Sequence, residues 1–164
     1  MAGQKIIFID FERCSNCRAC EATCSLVQEK RINPEISRVH IVKWERAGIY
    51  IPVLCQQCYT PMCKEVCPVK AIEVAENGAI RIDYDVCIGC KLCFTACPFG
   101  AIIVDAKNRR VLACSLCDGE PDCVKACYRE AIQYVIPTEA MLRKKQEAIR
   151  RMTELASKLT LPQR

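Results

Sequence analysis

The sequence predicts an α+β chain of two small cysteine-rich modules, one inserted in the other, plus a C-terminal amphipathic helix. Three observations predict it. All 16 cysteines of the 164-residue chain fall into four short blocks. The segments flanking the blocks echo one another, the mark of repeated units. The segment from Glu139 to Leu159 contains no cysteine and carries apolar residues at helical spacing.

The blocks are Cys14-x2-Cys17-x2-Cys20-x3-Cys24, Cys55-x2-Cys58-x4-Cys63-x3-Cys67, Cys87-x2-Cys90-x2-Cys93-x3-Cys97 and Cys114-x2-Cys117-x5-Cys123-x3-Cys127. A cubane iron–sulfur cluster takes four thiolates, so the count matches four [4Fe–4S] clusters with no cysteine left over. The third block, ending Cys97-Pro98, has the spacing of the bacterial ferredoxin run. Disulfides fit poorly: no apolar leader segment is seen near the N-terminus, and three cysteines two residues apart suit one metal cluster. Zinc fits less well than iron–sulfur, because zinc ribbons separate two Cys pairs by a long loop, whereas each block here gives three ligands and then one.

Strands are predicted at 5–10, 38–45, 71–74, 79–83, 101–104, 111–113 and 131–136, mostly apolar and β-branched runs. Glu76-Asn77-Gly78 makes a hairpin turn, with Asn-Gly supplying positive φ, and Asn108 turns the chain between Val104 and Val111. Ile9-Asp10-Phe11-Glu12-Arg13-Cys14 before block one parallels Ile82-Asp83-Tyr84-Asp85-Val86-Cys87 before block three. Behind the other blocks, Cys67-Pro68-Val69-Lys70-Ala71-Ile72, Cys97-Pro98-Phe99-Gly100-Ala101-Ile102 and Cys127-Tyr128-Arg129-Glu130-Ala131-Ile132 repeat a turn leading into a strand. Block one lacks that Ala-Ile step. In the last segment Leu142, Ile149, Met152, Ala156 and Leu159 form the apolar stripe of a helix.

Blocks two and three, with the hairpin between them, form a ferredoxin-like module at 49–107. Blocks one and four form an outer module at 1–48 and 108–138, closed by pairing of the first and last strands. Residues 139–164 are helix and tail. In such two-cluster modules the fourth cysteine of each run serves the other cluster. The quartets are then Cys14, Cys17, Cys20 with Cys127; Cys114, Cys117, Cys123 with Cys24; Cys55, Cys58, Cys63 with Cys97; and Cys87, Cys90, Cys93 with Cys67. Pairing block one with two and three with four is the alternative topology.

Cys55-Gln56-Gln57-Cys58-Tyr59-Thr60-Pro61-Met62-Cys63-Lys64-Glu65-Val66-Cys67-Pro68 resembles the second block of four-cluster electron-transfer subunits of the dimethyl sulfoxide reductase type. Asp85-Val86-Cys87-Ile88-Gly89-Cys90 through Cys97-Pro98-Phe99-Gly100-Ala101 resembles their third. The short fourth block is similar to a compact branch serving tungsten aldehyde oxidoreductase, carbon monoxide dehydrogenase or formate hydrogenlyase. The resemblance spans residues 5–136. It implies electron transfer as the iron–sulfur subunit of a larger oxidoreductase, with a tungsten or molybdenum pterin subunit favoured as partner. Further copies of this chain, docked through the C-terminal helix, and a flavin-containing subunit are the other candidate partners. Departures are the absence of Pro after Cys24 and Cys127 and the added C-terminal helix. The other readings are a free diffusible polyferredoxin and a zinc-stabilised interaction module.

The formal charge of +5 would fall to about −3 once four cubanes of about −2 each were bound. Nucleic-acid binding therefore gains little from the basic composition. The basic excess sits in residues 139–164, with seven Lys/Arg against three Asp/Glu. No apolar stretch is long enough to span a bilayer, and no Gly-rich phosphate loop follows a strand, so the expected location is cytoplasmic and no nucleotide is expected. The single histidine, His40, offers no catalytic constellation, and the chain is expected to have no catalytic site of its own. Arg109-Arg110 reads as a solvated hairpin tip. Leu92, Phe94, Val124 and Val66, set among the cysteines, are expected to exclude water.

Overall fold

The computed structural model describes residues 4–158. Among them, eight strands form four separate antiparallel pairs, and five α-helices connect or flank these pairs. The mixture of short hairpins and helices makes an α+β chain.

The first strand meets the last: β1 (Ile6–Ile9) pairs with β8 (Ile132–Val135), with Ile6 opposite Val135 and Ile9 opposite Ile132. This is the pairing expected between 5–10 and 131–136. The strands β2 (Val39–Trp44) and β3 (Ile49–Leu54) form a second hairpin, turned at Gly48 with φ +63°. The run 49–54 reads in sequence as an apolar stretch, not as a strand, because Pro52 cannot donate to a ladder. A two-stranded sheet has only edges, so Pro52 is tolerated opposite Ile41.

Next come β4 (Ile72–Val74) with β5 (Ile80–Ile82), and β6 (Ile103–Asp105) with β7 (Arg110–Leu112). In the first turn Gly78 alone takes positive φ, and Asn77 instead accepts the N–H of Ala79 at 3.1 Å. In the second, the Asp105 carboxylate accepts the N–H groups of Lys107 and Asn108, and Arg109, not Asn108, adopts positive φ. β6 begins two residues beyond the predicted start, because Ala101 spends its N–H on a sulfur rather than a strand partner.

Helix α1 (Ala19–Glu29) places Cys20 and Cys24 one turn apart. The single-turn helices α2 (Met62–Glu65), α3 (Leu92–Ala96) and α4 (Asp122–Lys125) each carry the third cysteine of a block. Helix α5 runs Glu139–Lys158, so Leu159 lies outside the described residues. One core gathers Ile7, Val39, Ile41, Leu54, Leu116 and Ile132 with Cys20, Cys24, Cys114 and Cys123. A second gathers Ile72, Ile80, Ile102, Val111 and Ala113 around Cys93. Cys55 packs against both.

Candidate metal centres

Four cavities in the molecule are each bounded by four cysteines. One is lined by Cys14, Cys17, Cys20 and Cys127; one by Cys24, Cys114, Cys117 and Cys123; one by Cys55, Cys58, Cys63 and Cys97; one by Cys67, Cys87, Cys90 and Cys93. Each takes three cysteines from one block and the fourth from another. Each holds about 310–360 Å³ of free space, part of it open to solvent. All sixteen thiols are free of disulfides.

Local backbone conformation builds these cavities. In every block the residue before the second cysteine is left-handed: Asn16 at φ +58°, Gln57 at +45°, Gly89 at +67° and Leu116 at +53°. Three of the four are not glycine, and that conformation costs such residues about 1–2 kcal/mol each. Strain of this kind persists where the surroundings enforce it, typically at functional sites. A second repeat lies three residues after the last cysteine, where Lys70, Gly100 and Glu130 are also left-handed. The turn brings the next N–H back onto the sulfur. Ala71 donates to Cys67 Sγ at 3.3 Å, Ala101 to Cys97 at 3.3 Å and Ala131 to Cys127 at 3.2 Å. This is the physical content of the Ala-Ile echo. Block one lacks the echo, and there the backbone N–H of Arg38 takes over, donating to Cys24 Sγ at 3.3 Å.

These features fit a cubane. The thiols ring cavities in groups of four, three from one block and one from another, which suits a multi-iron core better than one tetrahedral zinc. Residues 46–136 match the 4Fe–4S dicluster domain, and residues 11–27 match a further 4Fe–4S binding domain. The chain belongs to the 4Fe–4S dicluster ferredoxin family. It carries multiple [4Fe–4S] clusters, and its function is electron transfer.

Similar proteins include a ferredoxin of Methanocaldococcus jannaschii, 42% identical over 99% of this chain and 88% of its own. The polyferredoxin-like subunit of the aliphatic sulfonate oxidoreductase of Pyrococcus furiosus is 40% identical over 74% of this chain and 70% of its own. The B subunit of the anaerobic dimethyl sulfoxide reductase of Escherichia coli is 33% identical over 82% and 74%. This ferredoxin is thus of the dimethyl sulfoxide reductase beta-subunit type. Among solved structures, the BamBC active-site complex of benzoyl coenzyme A reductase with benzoyl-CoA contains a polypeptide 26% identical at a TM-score of 0.49, covering 88% of each.

The quartets of this ferredoxin adjoin one another in a fixed order. Cys20, Cys24, Cys114 and Cys123 pack in one core with Cys55 against it, and Cys55, Cys63 and Cys97 pack with Cys67, Cys87 and Cys93 in the other. The row therefore runs from the Cys14 quartet through the Cys24 quartet and the Cys55 quartet to the Cys87 quartet. Each end has an exposed cysteine, Cys17 at one and Cys90 at the other, and the two inner quartets have none.

Burial raises the buried thiols. Burial and then the neighbouring Glu21 carboxylate push Cys20 up to about 12, while burial, outweighing the backbone N–H of Leu116, pushes Cys114 up to about 12. Burial takes Cys55 to about 11 and raises Cys123 further. Four thiolates around one cavity are unfavourable without a cationic core to neutralise them.

Several sequence readings need correction. Leu92 and Phe94 are about half exposed and do not seal the sites, whereas Val66 and Val124 are partly buried. Arg110 is no solvated tip: it is partly buried, pairs with Glu29 and Asp105, and stacks 5.7 Å from the Tyr84 ring centre. Arg109 remains exposed. Tyr128, which stands in place of the usual proline, meets Ser15 with its hydroxyl at 3.0 Å. Sequence reasoning missed Gln28, whose Nε2 donates to Cys117 Sγ at 3.3 Å, and Arg38. Neither belongs to a repeat, so no motif marks them.

Proposed function

We propose that this ferredoxin is the iron–sulfur subunit of a larger oxidoreductase and carries four [4Fe–4S] clusters in one row. The ligands are the four quartets: Cys14, Cys17, Cys20 and Cys127; Cys24, Cys114, Cys117 and Cys123; Cys55, Cys58, Cys63 and Cys97; Cys67, Cys87, Cys90 and Cys93. The clusters supply one-electron redox chemistry. The chain's own residues hold them, donate N–H groups to their cysteine ligands and keep the inner two away from water. The observation that carries this reading is the packing of neighbouring quartets in the two cores, with an exposed cysteine at each end and none between. A row with two accessible ends suits transfer between two partners.

The two-module organisation is part of the proposal. Blocks two and three form an inserted module, and blocks one and four with β1 and β8 form the outer one. Leu54 sits in the first core and β3 pairs with β2, which favours counting 49–54 with the outer module. A subunit rather than a free carrier is favoured by the half-exposed or exposed apolar side chains around the inserted module, among them Tyr59, Met62, Ile88, Leu92, Phe94 and Phe99. The names of the Pyrococcus and Escherichia relatives point the same way. The fourth-block resemblance favours a tungsten or molybdenum pterin enzyme as partner, with a flavin-containing subunit as a second partner. Catalysis then belongs to the partner. Among the described residues no helix is long and apolar enough to cross a membrane, and we place the protein in the cytoplasm.

The test is anaerobic purification from native extract. About sixteen iron and sixteen sulfide per chain are expected, together with a large subunit containing tungsten or molybdenum. About eight iron, or zinc, overturns the four-cluster reading. Full iron in a chain that migrates alone overturns the subunit reading in favour of a free polyferredoxin.

A further inference from the structure

The Cys24 quartet is the most enclosed of the four. Cys24, Cys114 and Cys123 are buried, and Cys117 is partly so. Burial disfavours added negative charge, so a cluster here would be the hardest in the row to reduce. An inner centre far below its neighbours would be an obstacle in a wire.

Two side chains oppose that. Gln28, on the last turn of α1, donates from Nε2 to Cys117 Sγ at 3.3 Å. Its Oε1 accepts from the Ser115 hydroxyl at 3.4 Å, which fixes the amide with its NH2 toward the sulfur. Among the described residues no other quartet receives such a side-chain hydrogen bond. Arg38 lines the same cavity. Its Nη1 donates to the carbonyl of Ile36 and its Nη2 to Glu29, which offsets part of its charge. Its Nε is buried and has no partner among the described residues. A guanidinium and an amide donor beside one set of thiolates stabilise the more negative, reduced state.

We propose that Gln28 and Arg38 are positioning residues that raise the potential of the centre held by Cys24, Cys114, Cys117 and Cys123, offsetting its burial. This rests on reading that quartet as a cluster site. The role of Gln28 is electronic: its loss leaves all four thiolates in place and changes only how readily the centre accepts an electron.

The test is a redox titration of the anaerobic holoprotein followed by electron paramagnetic resonance, with Cys117→Ser marking the signal of the affected centre. Gln28→Leu at full iron should lower that midpoint alone. At the wild-type midpoint the oxidised-to-reduced ratio should rise about tenfold or more, the weight of one hydrogen bond to a charged group. Ser115→Ala should shift it the same way by less. Arg38→Met should lower it, and Arg38→Lys should restore most of the loss. Four unchanged midpoints in Gln28→Leu at full iron overturn the proposal, as does an equal shift of all four. If Gln28→Leu loses iron, Ser115→Ala at full iron decides: a lowered midpoint supports the proposal and an unchanged one overturns it. A wild-type protein with zinc or about eight iron would sink the cluster reading itself, a failure that metal analysis detects before any titration.

Discussion

Glu29 at the end of α1 and Arg110 at the start of β7 lie 81 residues apart in sequence and form a salt bridge. The same carboxylate pairs with Arg38, and Arg110 reaches on to Asp105, so one network joins the α1 segment to the β6–β7 hairpin. Burial alone would raise the Glu29 carboxyl, but the Arg38 and Arg110 guanidiniums outweigh it and hold it below the ordinary value. Breaking a buried pair leaves an uncompensated charge.

Glu29→Gln should therefore destabilise the holoprotein by about 3 kcal/mol, which lowers the melting temperature by about 6–12 °C for a chain of this size. The pH dependence has a definite sign. A carboxyl with a depressed native pKa stabilises fully above its unfolded value of about 4.3 and loses that contribution as pH falls through the native value. The melting-temperature gap between wild type and Glu29→Gln should be flat from about pH 8 to 6 and narrow in more acidic buffer. A gap that widens toward acid would contradict the assignment.

Such long-range pairs are illegible in the sequence, whereas the cysteine blocks are plain. The blocks repeat because each must make the same turn around a metal core, and repetition is visible without a structure. Arg110 does not repeat, and its neighbours, all polar or charged from Lys107 to Arg109, read as a solvated turn. Helix α1 is hidden for a different reason: its apolar periodicity is carried partly by Cys20 and Cys24, which read as ligands rather than as a packed face. Strand β3 is masked by Pro52. The Ala-Ile echo reads in sequence only as the start of a strand, yet its first residue gives its N–H to sulfur.

The left-handed residue after three of the four runs gives a second prediction. Lys70 has φ +52°, and the turn it makes lets Ala71 reach Cys67 Sγ. Glycine adopts that conformation without the side-chain clash. Lys70→Gly should be neutral or stabilise by about 0.5–1 kcal/mol, and Lys70→Val should destabilise by at least about 1 kcal/mol. Thermal unfolding of the two variants under anaerobic conditions measures this. Equal effects would mean that backbone strain at this position is negligible.

The exchange of fourth cysteines between cavities predicts which cluster a given cysteine serves. Cys24 lies in α1 beside Cys20, yet it lines the cavity of Cys114, Cys117 and Cys123, while Cys127 lines that of Cys14, Cys17 and Cys20. Cys24→Ser should alter the same spectroscopic signal as Cys114→Ser and leave intact the signal altered by Cys14→Ser. If Cys24→Ser and Cys14→Ser damage one common signal, the quartets are assigned wrongly.

The last prediction concerns α5. One face of the helix lies against the start of the chain: Lys144, Glu147, Ala148 and Arg151 share a cavity with the segment from Phe8 to Glu12, and Arg151 pairs with Glu12 at 3.1 Å. The opposing apolar positions are not covered, since Leu142 is 49% exposed and Ile149 59%. These two belong to the stripe read from the sequence, which therefore does not fold onto its own domain at those positions. The contacts made by the inward face are largely polar and exposed, and such pairs stabilise by no more than about 1 kcal/mol. The helix contributes no cysteine, so cluster binding does not need it. Deleting residues 139–164 should leave iron and sulfide near their full values while weakening retention of the large subunit. Leu142→Asp with Ile149→Asp should reproduce the loss of retention in a full-length chain. Loss of iron with the partner still held would assign the helix to capping the Cys14 quartet, whose block follows Glu12 directly, and would remove it from the interface.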